Sequence, residues 1–150
     1  WVTQSSPGIN YSSFLITGYE LFNDIMRKKQ ATYVLFYLTK TEDGFTAAGS
    51  GTGAHFILDN PSSCLVQAQW GWANSVNSGH WGNEFEAYRL LRGYTPSGAT
   101  DTFDTGESLV VTKNKVRGQG KCLSLKIQSS PGKDMKLLGW AIPVTGVDNV

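Results

Sequence analysis

The chain has 150 residues, of which 13 are Lys or Arg and 12 are Asp or Glu, giving a net charge of +1. This length suits one domain, and a charge so close to zero excludes an overall field that attracts nucleic acid or an anionic membrane. The longest uncharged apolar run, residues 33–38, is much shorter than the ~18 apolar residues that span a bilayer, so we expect no membrane insertion.

The chain begins at Trp1 rather than Met, and we interpret residues 1–150 as a single β domain that forms the C-terminal part of a longer chain. Its two cysteines, Cys64 and Cys122, are too few for a disulfide scaffold and form no C-x-x-C motif for metal or redox chemistry. We expect both to be strand residues, either as free buried thiols or joined in one disulfide.

Seventeen glycines, with clusters of Asn, Ser and Pro, divide the chain into short apolar runs, which is typical of an antiparallel β protein. One short helix is predicted near the N-terminus, at residues 19–28, because Phe22, Ile25 and Met26 are spaced i, i+3, i+4. Residues 32–39 follow as a strand that is apolar on both faces, which favours a central or doubly covered position.

In the middle of the chain, strands are predicted at residues 64–73 and 84–91. The glycine-rich stretch 47–54 is expected to be a mobile loop, and the polar stretches 74–83 and 94–106 are expected to be surface loops. In the first of the two strands, alternation predicts a buried face made of Cys64, Val66, Ala68, Trp70 and Trp72.

Three closing strands, at residues 108–116, 121–128 and 135–143, are predicted to form a meander of two hairpins. Glycines at 118–120 suit the first turn, and Pro131-Gly132 suits a type II turn in the second. The middle strand shows a half-buried pattern, with Leu123, Leu125 and Ile127 on the buried face.

The first closing strand carries a row of cations. Lys113, Lys115 and Arg117 alternate with residues that face the other way, so they are predicted to project outward. Three interpretations remain open: a solvated face that discourages edge pairing, a contact with an acidic protein neighbour, or a nucleic-acid contact. The absence of aromatic residues among these charges along the chain disfavours nucleic acid.

The sequence contains no recognisable catalytic or metal-binding motif. His55 and His80 have no second ligand at metal spacing and no positioned nucleophile. The acidic stretch 101–107 does not fit an EF-hand loop, and Glu84 and Glu86 lie too close on one strand face for a glycosidase pair. We therefore predict no enzymatic activity, no metal and no cofactor.

Aromatic residues are the more informative group. Trp70 and Trp72 continue an apolar strand face and are predicted core residues. Trp81 and Tyr94 lie in polar loops, which makes them candidate aromatics for ligand stacking or for an interface.

Two motifs, RGQGKCLSLKI at residues 117–127 and GKDMKLLGW at residues 132–140, carry a family resemblance together with the stretches 18–34 and 60–89. They resemble the C-terminal region of large virion structural proteins of tailed phages, and most of all the podovirus tail nozzle, or tail tubular protein B. The similarity covers roughly residues 18–145. It implies a structural role: oligomeric packing around the tail channel, contacts with neighbouring tail proteins and transient contact with phage DNA.

We therefore predict an all-β, jelly-roll-like antiparallel sandwich with one short N-terminal helix; the alternative is that these strands are the closing blades of a β-propeller. The predicted function is a non-enzymatic component of the phage tail in the virion, a homo-oligomer with Lys113, Lys115 and Arg117 as assembly or DNA-facing contacts. The alternative is a carbohydrate-binding or receptor-binding module that stacks a host-surface glycan on Trp81 and Tyr94. A hydrolase built around His80 is a third and more distant option.

Overall fold

The computed structural model of the protein describes residues 11–42, 44–48, 55–71, 81–89 and 108–147, which form twelve β-strands and no helix. The strands, in chain order, are β1 (Phe14–Ile16), β2 (Lys28–Ala31), β3 (Tyr33–Thr39), β4 (Gly44–Ala48), β5 (His55–Asp59), β6 (Leu65–Trp70), β7 (Phe85–Glu86), β8 (Leu109–Lys115), β9 (Gln119–Gly120), β10 (Leu123–Gln128), β11 (Leu137–Ala141) and β12 (Val144–Val147).

All pairings between these strands are antiparallel. The largest sheet has the order β1-β10-β6-β7, and a second sheet has the order β11-β3-β8. A third, small sheet has the order β12-β2-β9, and β4 pairs with β5 in a two-stranded sheet. The all-β prediction with antiparallel sheets is therefore confirmed.

One buried apolar cluster is built from the two larger sheets. The sheet that contains β3 contributes Val34 and Phe36, and the sheet that contains β10 contributes Leu125 and Ile127. Each of these side chains is at most 1% exposed, and burying one such side chain stabilises the fold by about 1.5–3 kcal/mol. Strand β3 is the central strand of its sheet, as the sequence predicts for residues 32–39.

The predicted meander of residues 108–116, 121–128 and 135–143 is wrong. Strand β8 pairs with β3, β10 pairs with β1 and β6, and β11 pairs with the other edge of β3. The chain therefore passes from the β3 sheet through β9 of the small sheet to the β10 sheet, and returns to the β3 sheet at β11. In this arrangement the buried faces of β8 and β10 both contribute to the shared cluster. The predicted type II turn is present, since Gly132 has φ 74° and Lys133 N donates to Ser130 O at 3.1 Å.

The predicted helix at residues 19–28 is also wrong. Phe22 and Asn23 adopt positive φ values of 53° and 62°, which no right-handed helix contains. Asp24 Oδ1 accepts hydrogen bonds from the backbone N–H groups of Met26 and Arg27 at 2.9 and 3.3 Å. This local side-chain bonding stabilises a turn at the expense of a helix, and strand β2 begins directly afterwards at Lys28.

Three strand limits also differ from the predicted ones. Within the described residues 81–89, the predicted strand 84–91 is reduced to β7, and Ala87 and Tyr88 are both buried and do not alternate; residues 90 and 91 lie outside the described residues. The predicted loop 47–54 begins too early, since Ala47 and Ala48 belong to β4; residues 49–54 lie outside the described residues. The predicted strand 64–73 has its buried Cys64, Val66 and Ala68, but Trp72 lies outside the described residues.

The predicted burial of Leu123, Leu125 and Ile127 on one face of β10 is confirmed, whereas the other face is more covered than predicted at Ser124 and partly exposed at Lys126 and Gln128. Ser124 is only 3% exposed although it faces away from Leu123 and Leu125. Its Oγ donates to Thr17 O at 2.9 Å, and Thr17 N donates to Leu125 O at 2.9 Å. The segment that follows β1 therefore shields the outer face of β10.

A buried carboxylate joins the connection after β3 to the segment after β7. Glu42 is 3% exposed, and its Oε2 accepts a 2.5 Å hydrogen bond from the Tyr88 hydroxyl. Its Oε1 accepts from Ser62 N at 2.9 Å. A buried charge is tolerated only where such donors replace water, so these contacts hold three distant segments together.

A second carboxylate, Glu86, accepts hydrogen bonds from Cys64 N at 2.6 Å, Ser63 Oγ at 3.1 Å and Tyr88 N at 3.1 Å. Burial, and next the Glu86 carboxylate, raise the pKa of the Cys64 thiol to about 12. Burial also raises the pKa of Cys122. Both cysteines are free and buried, so each is a neutral core residue at neutral pH.

Replacing Glu42 with Ala should lower the free energy of unfolding by about 3 kcal/mol, because the Tyr88 hydroxyl and Ser62 N–H both lose their acceptor in a buried site. Urea denaturation measures this change. Glu20→Ala is the control, because Glu20 is exposed and its loss should stay within about 0.5 kcal/mol. Equal effects of the two substitutions would contradict the structural role of Glu42.

Stability should fall as the pH rises above about 8.5, where thiols of the unfolded chain begin to ionise. The raised pKa of Cys64 keeps its thiol neutral in the folded state. The contribution of this thiol to the free energy of unfolding is therefore complete below the pKa that it has in the unfolded chain, and it is lost progressively towards pH 12. Urea midpoints between pH 7 and 11 measure the slope, which Cys64→Ala should make shallower. A midpoint that does not change over this range would refute the expectation.

Candidate functional site

The row of cations on β8 lies as the sequence predicts. Val110, Thr112 and Asn114 face inward and are buried, whereas Lys113 and Lys115 face outward and are exposed. Arg117, directly after Val116, is exposed as well. The predicted alternation of this strand is therefore confirmed.

The neighbouring strand places aromatic rings among these cations, which the sequence order does not reveal. Tyr33 pairs with Lys115, and Tyr37 pairs with Val111, on the outer face of the sheet. The Lys113 ammonium lies 4.0 Å from the centre of the Tyr33 ring, within cation–π range. Aromatic residues are thus interleaved with the cations in space, supplied by β3 rather than by β8 itself, and Lys113 covers the ring of Tyr33.

At the C-terminal end of β8, Lys115, Val116 and Arg117 form one wall of a cleft. Its volume is about 390 Å³, and the residues that line it on the other sheet are Ala68 and the segment 82–85. The cleft therefore lies where the edges of the two larger sheets meet. We refer to it as the Arg117 cleft.

Trp70 fixes the position of the Arg117 backbone. The Trp70 indole Nε1 donates to Arg117 O at 3.1 Å, and a Cβ on Gly118 would lie 2.4 Å from Trp70 Cδ1. Gly118 also has φ 121°, a conformation that side chains rarely adopt. A Cβ on Gly120 would lie 2.8 Å from Gly71 N. The two glycines of the RGQG motif are therefore explained by the close approach of Trp70 and Gly71.

The opposite wall is held by backbone contacts to β6. Gly82 N donates to Ala68 O at 2.8 Å, and a Cβ on Gly82 would lie only 3.3 Å from that same oxygen. Strand β7 then pairs Phe85 with Val66. Glu84, between these two anchors, accepts a 2.5 Å hydrogen bond at Oε2 from Gln128 Nε2. Both walls of the cleft are therefore attached to regular sheet.

Of the two aromatic residues predicted to contact a ligand or an interface, the structure describes Trp81 and does not describe Tyr94. Trp81 is partly buried and forms an isolated antiparallel bridge with Gln69, one residue before the cleft wall begins. Tyr94 lies outside the described residues, as do His80 and residues 101–107. His55 opens β5, and its side chain is not described. The sequence reasoning missed Asn83 and Phe85, whose only signal was their position beside Trp81.

Two searches of the described residues gave negative findings. They contain no group of three or more His, Cys, Asp or Glu side chains that could hold a metal ion. They also contain no helix that is long and apolar enough to cross a membrane.

Comparison with known proteins gave no relative for this chain: no family model, no curated protein and no solved structure matches it. The resemblance to phage tail proteins therefore stays a prediction, and function has to be argued from the surfaces of the molecule.

Replacing Gly118 with Ala should lower the free energy of unfolding by about 2 kcal/mol or more, because the methyl group collides with the Trp70 ring and the positive φ becomes strained. Gly139→Ala is the matched control, since no heavy atom lies within 4 Å of its added Cβ. Thermal or urea unfolding measures both variants. Equal stability of the two would contradict the anchoring role of Trp70.

Proposed function

We propose that this chain is a non-enzymatic structural component of a phage virion, of the tail-nozzle type, which acts through contacts with copies of itself and with other tail proteins. The sequence support is the resemblance of residues 117–127 and 132–140 to nozzle strands. In the structure, the RGQG part of this motif has a packing role around Trp70, which is consistent with a structural protein.

The observation that carries the proposal is the exposed apolar edge strand β1. Its three residues, Phe14, Leu15 and Ile16, are 66%, 47% and 49% exposed, and Tyr11 before them is 82% exposed. One edge of β1 pairs with β10, and no other described strand pairs with its second edge. An open apolar edge offers both main-chain hydrogen bonds and apolar surface to a strand of a neighbouring copy.

For the fold, we propose a jelly-roll-like sandwich formed by the two larger sheets. Support comes from the buried cluster that both sheets share. The propeller alternative is less well supported, because the strands of a blade follow each other along the chain, whereas the neighbours in β11-β3-β8 are far apart in sequence.

The outer face of the β3 sheet is a second proposed contact surface. It combines the cations Lys113 and Lys115 with Tyr33 and Tyr37, so it suits an acidic neighbouring protein or transient contact with phage DNA. Because the total charge is only +1, any attraction of DNA must come from this local face and should weaken steeply with salt.

Substituting Phe14 with Lys should abolish self-association of the purified chain, because a charge on an edge strand opposes pairing with another strand. Native mass spectrometry and electron microscopy measure the assembly, with a ring or tube expected for the unsubstituted chain. Met26→Lys is the control, since Met26 is 78% exposed but lies in a turn. An unsubstituted chain that stays monomeric and binds no virion protein would overturn the proposal.

A further inference from the structure

The Arg117 cleft contains both signs of charge without an ion pair between them. Among the described residues, the side chains of Lys115, Arg117 and Asn83 form no hydrogen bond or ion pair. The carboxylate of Glu84 is in contact with the Gln128 amide and with neither cation. Two cations, a carboxylate and an amide thus belong to residues that line one cleft, and these exposed side chains have few bonds to other described residues.

These groups define the chemistry of a ligand. Lys115 and Arg117 favour an anionic group, and Arg suits a planar carboxylate because its guanidinium can donate two parallel hydrogen bonds. Glu84 accepts hydrogen bonds only, so it repels a second anion and favours hydroxyl donors. A ligand that satisfies both walls must carry a negative charge at one end and hydroxyl groups at the other.

The size of the cleft and its apolar residues further restrict the class of ligand that it can bind. Its volume of about 390 Å³ lies at the small end of the range for ligand sites, near that of one or two sugar rings. The apolar residues of its lining are Ala68, Val116 and the partly buried Phe85, which also packs against the buried cluster. An aromatic ring beside polar groups can contact the C–H face of a sugar while those groups bond its hydroxyls.

We infer that the Arg117 cleft binds an acidic sugar, with its carboxylate at Arg117 and Lys115 and its hydroxyls at Glu84 and Asn83. The backbone of both walls is held before the ligand arrives, because Trp70 bonds the Arg117 carbonyl and Ala68 O bonds Gly82 N. A backbone held in this way lowers the entropy cost of binding, and the ligand then orders the exposed side chains. The site is additional to the proposed assembly surface on β1 and does not depend on it.

The test is an NMR titration of the 150-residue chain with sodium glucuronate, followed through the backbone amide signals of Gly82, Phe85 and Val116. Glucose, which has the same ring without the charge, and inorganic phosphate, which has charge without the ring, are titrated in parallel. Saturable shifts with glucuronate, and binding about tenfold weaker or absent with the other two, are expected. Equal binding of phosphate, or no binding of glucuronate, would overturn the inference.

Arg117→Ala should weaken glucuronate binding about tenfold or more, through loss of a charge-assisted hydrogen bond. Lys113→Ala is the matched control: it removes the same charge from the same strand face, but Lys113 does not line the cleft. Glu84→Ala should weaken glucuronate binding and leave phosphate binding unchanged or stronger, because it removes the hydroxyl acceptor together with a negative charge. Similar effects of Arg117→Ala and Lys113→Ala would show a general charge effect and would overturn the site.

Unfolding does not obscure the outcome, because the amide spectrum of each variant reports its fold directly. Should Arg117→Ala lose dispersed signals, Arg117→Lys and Lys115→Ala supply the same comparison with smaller changes. The Phe14→Lys variant should still bind glucuronate, since no residue of β1 lines the cleft and Phe14 is connected to it only through Gln128, the partner of Glu84. Failure of the sugar site and failure of assembly are therefore separate results.

Discussion

The structure depends on one constraint: a single apolar cluster takes its side chains from both of the larger sheets. Leu123, Leu125 and Ile127 of β10 are buried against residues of β3 and β8. A chain that paired β8 directly with β10 in a hairpin would place both strands in one sheet and leave the cluster open on the opposite side. Burial of these large side chains, at about 1.5–3 kcal/mol each, favours the crossing arrangement.

The path of the chain from β8 to β10 also determines where the polar groups of the Arg117 cleft lie. The connection from β8 to β10 passes directly over Trp70 at the end of β6, and Gly118 leaves the space that the indole needs. The indole N–H bonds the Arg117 carbonyl, so a packing contact also fixes the end of the row of cations. The segment 82–85, attached to the edge of β6, meets this point from the other sheet. The Arg117 cleft is a consequence of how the two sheets are joined.

Polar groups that are bonded within the protein and those that are not have different roles. Buried Glu42 and exposed Glu86 are carboxylates that accept hydrogen bonds from Tyr88, Ser62, Ser63 and Cys64, so they link segments and maintain the fold. Lys115, Arg117 and Glu84 have few such contacts and face solvent across a cleft. The proposed assembly surface on β1 is separate again, since it is apolar. The two proposals therefore use different parts of the surface.

The sequence by itself determined the fold class and the face of individual strands, because alternation with period two is a local property. The burial of Val110, Thr112 and Asn114, the outward direction of Lys113 and Lys115, and the turn at Gly132 could all be predicted in this way. The prediction of a helix at residues 19–28 was wrong, because Asp24 stabilises a turn that cannot be inferred from the spacing of apolar residues.

Tertiary structure alone decided which strands are neighbours, and with that the candidate site. A strand pattern states which face is apolar but not which partner lies beside it, so the pairing of β8 with β3 and the contact of Lys113 with Tyr33 could not be predicted. The same holds for Glu84 and Arg117, which are 33 positions apart in sequence but line one cleft. Burial of the shared cluster selects the pairing, and that burial is a property of the whole chain.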